Sequence, residues 1–213
     1  MKNHITFLKH FLRNPTAVGA VSALNDNVAK KMVKYLKSRD YSRPCRILEV
    51  GAGTGSITKK IVPELSDNDI LDLVEIDLGC CKILEEKFNE HKGVQVISRS
   101  VLDWKPEYQY DFIISTLPFN SFPAPFVESI LAHFKDISAS GCLCSYVEYA
   151  FLSKISQLFG NKMKKPQIRS RRQTLKNYRN TLLIEKQCEL RNFPPCHIYH
   201  MNMGRPSIVK EAK

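Results

Sequence analysis

Two carboxylates and three glycines carry the most pointed chemistry in this chain. Glu49 stands two residues before Gly51, and Gly51, Gly53 and Gly55 alternate with Ala52 and Thr54. Ile47, Leu48 and Val50 form a short apolar run ahead of them, which predicts a buried strand entering a tight turn. Glycines there let the backbone take left-handed conformations and let a ligand lie against it. Residues Ile57 to Leu65 follow as a helix whose first amides point back at the turn. A second strand, Leu71 to Ile76, carries Glu75, 20 residues after Gly55. An acid at that place can accept hydrogen bonds from both hydroxyls of a ribose. The spacing is Gly-x-Gly-x-Gly, not the Gly-x-Gly-x-x-Gly of dinucleotide sites, so nothing here needs a pyrophosphate.

Two further strand ends hold reactive types. Tyr110 to Thr116 reads as a buried strand that runs into Leu117-Pro118-Phe119. Ser115 and Thr116 supply hydroxyls there, and the Phe119 ring can either face a positive charge or serve as core beside a proline turn. Cys142 to Tyr149 is a strand ending in Tyr146-Val147-Glu148-Tyr149. Alternation puts Tyr146 and Glu148 on one side and Tyr149 on the other, so only one side can line a site. Of Tyr146, Glu148 and Tyr149, the first two are the preferred candidates for moving a proton, and Phe119 is the aromatic candidate.

The elements that must position these residues alternate between strand and helix. Helical spacing covers Leu78 to His91 and Pro125 to Phe134, with a strand at Val94 to Arg99. Thr181 to Arg191 and Cys196 to Met201 read as an antiparallel pair around Phe193-Pro194-Pro195. The expectation is an α/β fold: a mostly parallel seven-stranded sheet with helices on both faces. At 213 residues, with 43% hydrophobic residues, one domain over 1–213 suffices. Seven cysteines without a Cys-x-x-Cys pair predict reduced thiols, and no metal site is expected. No apolar run approaches the ~20 residues of a membrane span.

The net charge is +11 and unevenly spread. No acid precedes Asp26, and none lies between Glu148 and Glu185, where Lys154, Lys162, Lys164, Lys165, Arg169, Arg171, Arg172, Lys176 and Arg179 gather. Two basic segments flanking the core suggest an anionic partner, nucleic acid or acidic phospholipid. In residues 1–24, Ile5, Phe7, Leu8, Phe11 and Leu12 share one helical face opposite Lys2, Lys9 and Arg13, and Pro15 follows. Such a helix suits a membrane interface or packing on the core.

Glu49 with the glycine turn and Glu75 resembles the first two motifs of class I S-adenosylmethionine (SAM) methyltransferases. A wider resemblance adds Phe11-Leu12-Arg13-Asn14-Pro15 with Val18-Gly19-Ala20, Val74-Glu75-Ile76-Asp77, Ser115-Thr116-Leu117-Pro118, Tyr146-Val147-Glu148-Tyr149 and Arg191-Asn192-Phe193-Pro194-Pro195. With these the chain resembles bacterial SAM-dependent phospholipid N-methyltransferases, relatives of the ribosomal RNA adenine dimethylases. The resemblance implies a class I Rossmann-like fold and a SAM site of Glu49, Gly51, Ala52, Gly53, Gly55, Glu75, Ile76, Ser100, Val101 and Ser115. It also implies attachment of a monomer through residues 1–24 to the acidic inner face of the cytoplasmic membrane, and a basic insertion or lid over 150–180.

The implied reaction moves methyl groups from SAM to the head-group amine of phosphatidylethanolamine or its methylated intermediates. The chain departs from the family in three places. Arg99-Ser100-Val101 replaces the usual acidic adenine contact, so either Ser100 substitutes or Asp103 reaches in. Ser115-Thr116 stands where the family has Ser-Gly. Only Ser22-Ala23 remains of a paired serine. The alternative is an RNA enzyme, such as an rRNA adenine N6-methyltransferase. Enzymes that act on adenine place Asn or Asp before x-Pro, and this chain has no amide there.

Overall fold

Apolar runs too short for helices and bounded by turn residues become the strands of one sheet. The computed structural model describes residues 24–149, 165–192 and 194–204. The strands are β1 (Arg46–Val50), β2 (Ile70–Glu75), β3 (Val94–Ser98), β4 (Tyr110–Ser115), β5 (Ser138–Tyr149), β6 (Leu183–Glu189) and β7 (Cys196–Asn202). Their order is β3-β2-β1-β4-β5-β7-β6. β1 to β5 pair in parallel, while β7 runs antiparallel to both β5 and β6. The sheet is therefore mixed, and a single reversed strand, β7, makes it so. Ile47, Leu48, Leu71 and Leu73 are fully buried, as strands covered on both faces require.

Helices α1 (Asp26–Met32), α2 (Lys34–Lys37), α3 (Thr58–Ile61) and α4 (Leu78–Phe88) belong to one side. Val28, Met32, Leu36, Ile61, Leu84 and Phe88 from them join one core. Helices α5 (Ala124–Asp136) and α6 (Lys165–Leu182) cover the other face. Phe126, Val127, Ile130, Leu131 and Phe134 of α5 repeat at helical spacing and are buried there, with Leu175 and Leu182 of α6. The side chain of Asn25 caps α1 by accepting from Val28 N, and Asp77 caps α4 by accepting from Cys80 N. The helix expected over Ile57 to Leu65 is shorter: α3 passes at Val62–Glu64 into a 3-10 turn around Pro63.

The amphipathic segment expected over residues 1–24 and the family segments within it lie outside the described residues, as do residues 150–164 and Phe193. From 165 onward the basic segment is α6, a helix integral to the fold. Its Arg171 is 3% exposed and Leu175 2%. Tyr178 Oη donates to Glu128 Oε1 at 3.0 Å, tying α6 to α5. Arg169, Arg172 and Lys176 face outward.

The two ends of the described chain are bound to each other. Lys31 pairs with Glu189 at 2.9 Å and Lys34 with Glu185 at 2.8 Å, joining α1 and α2 to β6. Asn192, buried after β6, accepts from Asn25 N at 3.1 Å and donates to Pro194 O at 2.9 Å. The Arg-Asn-x-Pro-Pro segment thus acts as a clasp on the start of α1.

Below the sheet, Asp69 is fully buried and accepts from Cys45 N at 2.7 Å, from Ser66 N at 2.6 Å and from the Arg39 guanidinium. Removing one partner of such a pair leaves a charge with no compensation. Arg39→Met is expected to destabilise the fold by about 3 kcal/mol or more in urea denaturation. A loss under about 1 kcal/mol would show that the pair contributes no net stability.

Candidate active site at the carboxyl ends of β1, β4 and β5

Sheet order reverses direction between β1 and β4, which opens a crevice beyond their carboxyl ends. Val50, Ser115 and Tyr146 are register partners across β1, β4 and β5. One straight row therefore carries the entry to the glycine turn, the hydroxyl strand end and the first candidate tyrosine.

The glycines have different reasons. Gly51, Gly53 and Gly55 take φ of 76°, 56° and 90°, a region where side chains are disfavoured. A Cβ on Gly51 would meet Thr116 Oγ1 at 3.1 Å and Leu117 Cδ2 at 3.3 Å. On Gly55 it would lie 2.7 Å from Phe88 Cε2 of α4. Gly51 is small so that β4 can pass, and Gly55 so that α4 can pack. Gly53 is different, because its Cβ would meet nothing nearer than Gly51 O at 4.0 Å. The space above Gly53 is open to a ligand. Ala52 between them is buried.

Glu49 is fully buried, and its Oε2 accepts from Thr58 Oγ1 at 2.7 Å. Its other oxygen, Oε1, has no partner. Burial, with the Glu75 charge nearby, pushes its carboxyl up to about 8. A carboxylate held this way calls for a proton or a cation. Glu75 accepts from Gly53 N at 2.9 Å, Ile76 N at 2.6 Å and Asp77 N at 2.9 Å. Those three amides fix its carboxylate against the turn and leave about one of its four acceptor directions open.

Beyond β3, Ser100 is buried and its Oγ accepts from Leu102 N at 3.4 Å, capping a 3-10 turn over Val101–Asp103. Val101 is in the core and Asp103 is half-buried. Ser100 and Asp103 thus lie on the same turn. At the end of β4, Ser115 Oγ accepts from Leu117 N at 3.3 Å, and Thr116 Oγ1 donates to Gly51 O at 2.5 Å. Both hydroxyls serve the turn.

Tyr146, Glu148 and Phe119 do come together. Phe119 is completely buried and meets the Tyr146 ring edge-on, with centroids 5.3 Å apart. Its ring supports Tyr146 from within the core. Tyr146 also stacks on Tyr199 of β7, centroids 5.2 Å apart and 17° between planes. Arg179 of α6 reaches into this cluster: its Nη1 is 2.7 Å from Glu148 Oε1 and 3.4 Å from Tyr146 Oη, and its guanidinium lies 4.6 Å from the Tyr199 ring centre. Burial raises the Glu148 carboxyl, while Arg179 and Arg171 pull it down. Burial holds the Tyr146 phenol protonated, far above its ordinary range. Tyr149 belongs to the opposite core, as alternation requires.

Thr58, Arg179 and Tyr199 are neighbours of the candidate residues that the strand-end reading passes over. Spacing could have found Arg179, since Arg171, Leu175, Arg179 and Leu182 follow one helical face. Pairing Tyr199 with Tyr146 needs the β5–β7 register, which is set by the fold.

A family model for ribosomal RNA adenine dimethylases matches residues 1–155. The chain belongs to that family. It is a SAM-dependent N-methyltransferase. A similar relative is the ornithine lipid N-methyltransferase of Singulisphaera acidiphila, 26% identical over 145 residues covering 65% of this chain and 74% of that protein. Ribosomal RNA small subunit methyltransferase A of Borreliella afzelii is 30% identical over 125 residues, covering 55% of this chain and 42% of that protein. The chain thus matches less than half the length of the rRNA enzyme. Among solved structures, the N-methyltransferase NodS of Bradyrhizobium japonicum, in complex with S-adenosylhomocysteine, has a TM-score of 0.62 at 10% identity, over 82% of this chain and 85% of that one. That likeness shows the class I methyltransferase fold.

The site's residues fit the donor. SAM carries an ammonium group and a ribose diol; Glu49 has an unpartnered buried oxygen, Glu75 an open acceptor direction, and Gly53 a vacant approach.

Glu49 also links the site to stability. Its folded carboxyl titrates at about 8 against 4.5 when unperturbed, so between those values the folded state keeps a proton that the unfolded state releases. Stability must fall as pH rises through that window. Glu49→Gln is expected to remove the slope and to gain on the unsubstituted protein by on the order of a few kcal/mol from about pH 5 to pH 8. Denaturation at the two pH values measures it; parallel curves would mean that Glu49 is ionised at ordinary cost. Gly53→Ala is expected to cost about 1 kcal/mol of fold stability from its left-handed φ. The same change should abolish SAM binding in calorimetry, and retained binding would place the donor elsewhere.

Proposed function

We propose that the chain methylates the amine of a lipid head group at a membrane surface. The observation that carries this is the strand end after β4. Thr116 donates its hydroxyl to Gly51 O and Ser115 Oγ accepts an amide, so both hydroxyls are engaged in shaping the turn, and neither residue offers the amide or carboxylate that would hold the flat amine of an adenine. The tyrosine, carboxylate and arginine cluster at the end of β5 suits an alkylamine better. Phosphatidylethanolamine is the expected acceptor, and an ornithine-type aminolipid offers the same chemistry and matches the relative that covers more of its own length. Membrane attachment rests on the amphipathic pattern of residues 1–24 and the outward basic residues of α6. Among the described residues no helix is long and apolar enough to cross a membrane.

When bound, SAM would supply an electrophilic methyl to the amine lone pair, its sulfur keeping the electrons of the S–C bond and the methylated amine shedding a proton. The protein's part is alignment and proton management. Glu49, the glycine turn and Glu75 would hold the donor, with Ile76, Ser100, Val101 and Ser115 as the buried residues behind it. The acceptor amine has a solution pKa near lysine's ~10.4 and must be neutral to attack. Arg179, a fixed positive charge between Tyr146 and Glu148, disfavours an ammonium ion there and so favours the free amine. Glu148 is the acceptor for the departing proton, with Tyr146 orienting the amine.

Lipid extracts of a host expressing the chain, analysed by mass spectrometry, test this. Methylated phosphatidylethanolamine or ornithine lipid is expected. Glu148→Gln should lower the rate at least about tenfold with SAM affinity unchanged. Unaltered amine lipids beside a newly methylated rRNA adenine would overturn the lipid reading and favour the RNA enzyme.

A further inference from the structure

Strand β6 sorts its charges by face. Glu185 and Glu189 point toward α1 and α2 and are paired with Lys34 and Lys31. Lys186 points to the other face, the one that carries Tyr146, Glu148 and Arg179. Register places Lys186 opposite Tyr199, and Tyr199 opposite Tyr146, so the three form one row across β6, β7 and β5. The Lys186 ammonium lies 5.6 Å from the Tyr199 ring centre, and Tyr199 stacks on Tyr146. His197, cross-strand partner of both Glu148 and Cys188, completes the patch with its ring 6.2 Å from Tyr199.

The charges of this patch do not cancel. Glu148 is matched by Arg179 at 2.7 Å. Lys186 has no carboxylate within ion-pair distance among the described residues, and its cation shares the Tyr199 ring with Arg179. It is exposed, whereas Tyr199 beneath it is 7% exposed. The row therefore runs from the carboxylate-and-tyrosine end beside the glycine turn to a spare cation about two strand spacings, roughly 10 Å, away. The Lys186 ammonium already reaches back over the Tyr199 ring, 5.6 Å from its centre, which shortens the gap to the cluster and suits a molecule with an amine at one end and an anion a few bonds away.

We propose that Lys186 is the counter-ion for an anionic group that the acceptor carries a short linker from its amine, so that zwitterionic head groups are selected over simple amines. This rests on the aminolipid reading and adds to it the second recognition point. A phosphodiester and a carboxylate both meet the requirement; the two head groups named above differ in which they carry. Arg179 cannot take this role while it serves Glu148. The Tyr199 ring lies under the lysine's ammonium, its centre 5.6 Å away.

The test uses the full chain and monomeric short-chain acceptors, which keep vesicle surface charge out of the measurement. The acceptors are dihexanoyl phosphatidylethanolamine, a short-chain ornithine lipid, and an alkylamine of matched length without an anion. Lys186→Met is expected to raise KM for the zwitterionic acceptors about tenfold, with kcat, SAM KM and melting temperature unchanged. Lys186→Glu should raise it further, and neither variant should change KM for the alkylamine. The zwitterion whose KM moves identifies the anion; movement of both shows that Lys186 reads charge alone. Unchanged KM for both zwitterions, or an equal rise for the alkylamine, overturns the proposal while leaving lipid methylation standing. If the unsubstituted chain methylates none of the three, the aminolipid reading and this proposal fail together.

Discussion

Everything at the carboxyl rim depends on the glycine turn being squeezed from both sides. Thr116 and Leu117 press on Gly51 and Phe88 presses on Gly55, so the turn is clamped between β4 and α4. Only the middle glycine is left facing open space. The clamp makes the left-handed backbone affordable, because packing on both flanks over-determines it. It also ties the glycine turn to the end of β4: Thr116 hydrogen-bonds the Gly51 carbonyl. A change at the end of β4 is therefore felt in the turn.

Charge in the site follows a consistent division. Glu49 is buried with a lone hydroxyl donor, Glu75 is saturated with amides on one oxygen, and Glu148 is matched by an arginine. The first is left wanting a cation, the second is rigid, and the third is neutralised in place. Three carboxylates of the same chemical type thus differ through what surrounds them. Belonging to the rRNA adenine dimethylase family sets the donor chemistry, while in the proposed reading the strand ends decide the acceptor.

Much of the sheet was legible because its strands are continuous apolar runs between turn residues. Glu49, the glycines and Glu75 were legible because local spacing carries them. Helix α6 was not legible as part of the fold. Its inward face uses Arg171 and Arg179 beside Leu175 and Leu182, so charge masks the apolar period. The row of Tyr146, Tyr199 and Lys186 was invisible for another reason. Its members are 53 and 13 residues apart in sequence, and only the antiparallel return of β7 aligns them. Phe119 was legible as an aromatic at the site, yet its place in the core depends on the Tyr146 ring beside it.

The bonds between α1, α2 and the last hairpin set an order of events during synthesis. Lys31, Lys34 and Asn25 have their partners at Glu189, Glu185 and Asn192, more than 150 residues later. Contacts this distant along the chain close late. On the ribosome the first helices must wait for nearly the whole domain before they can dock. Until β6 and Asn192 have been made, Lys31, Lys34 and Asn25 have no partners to dock on.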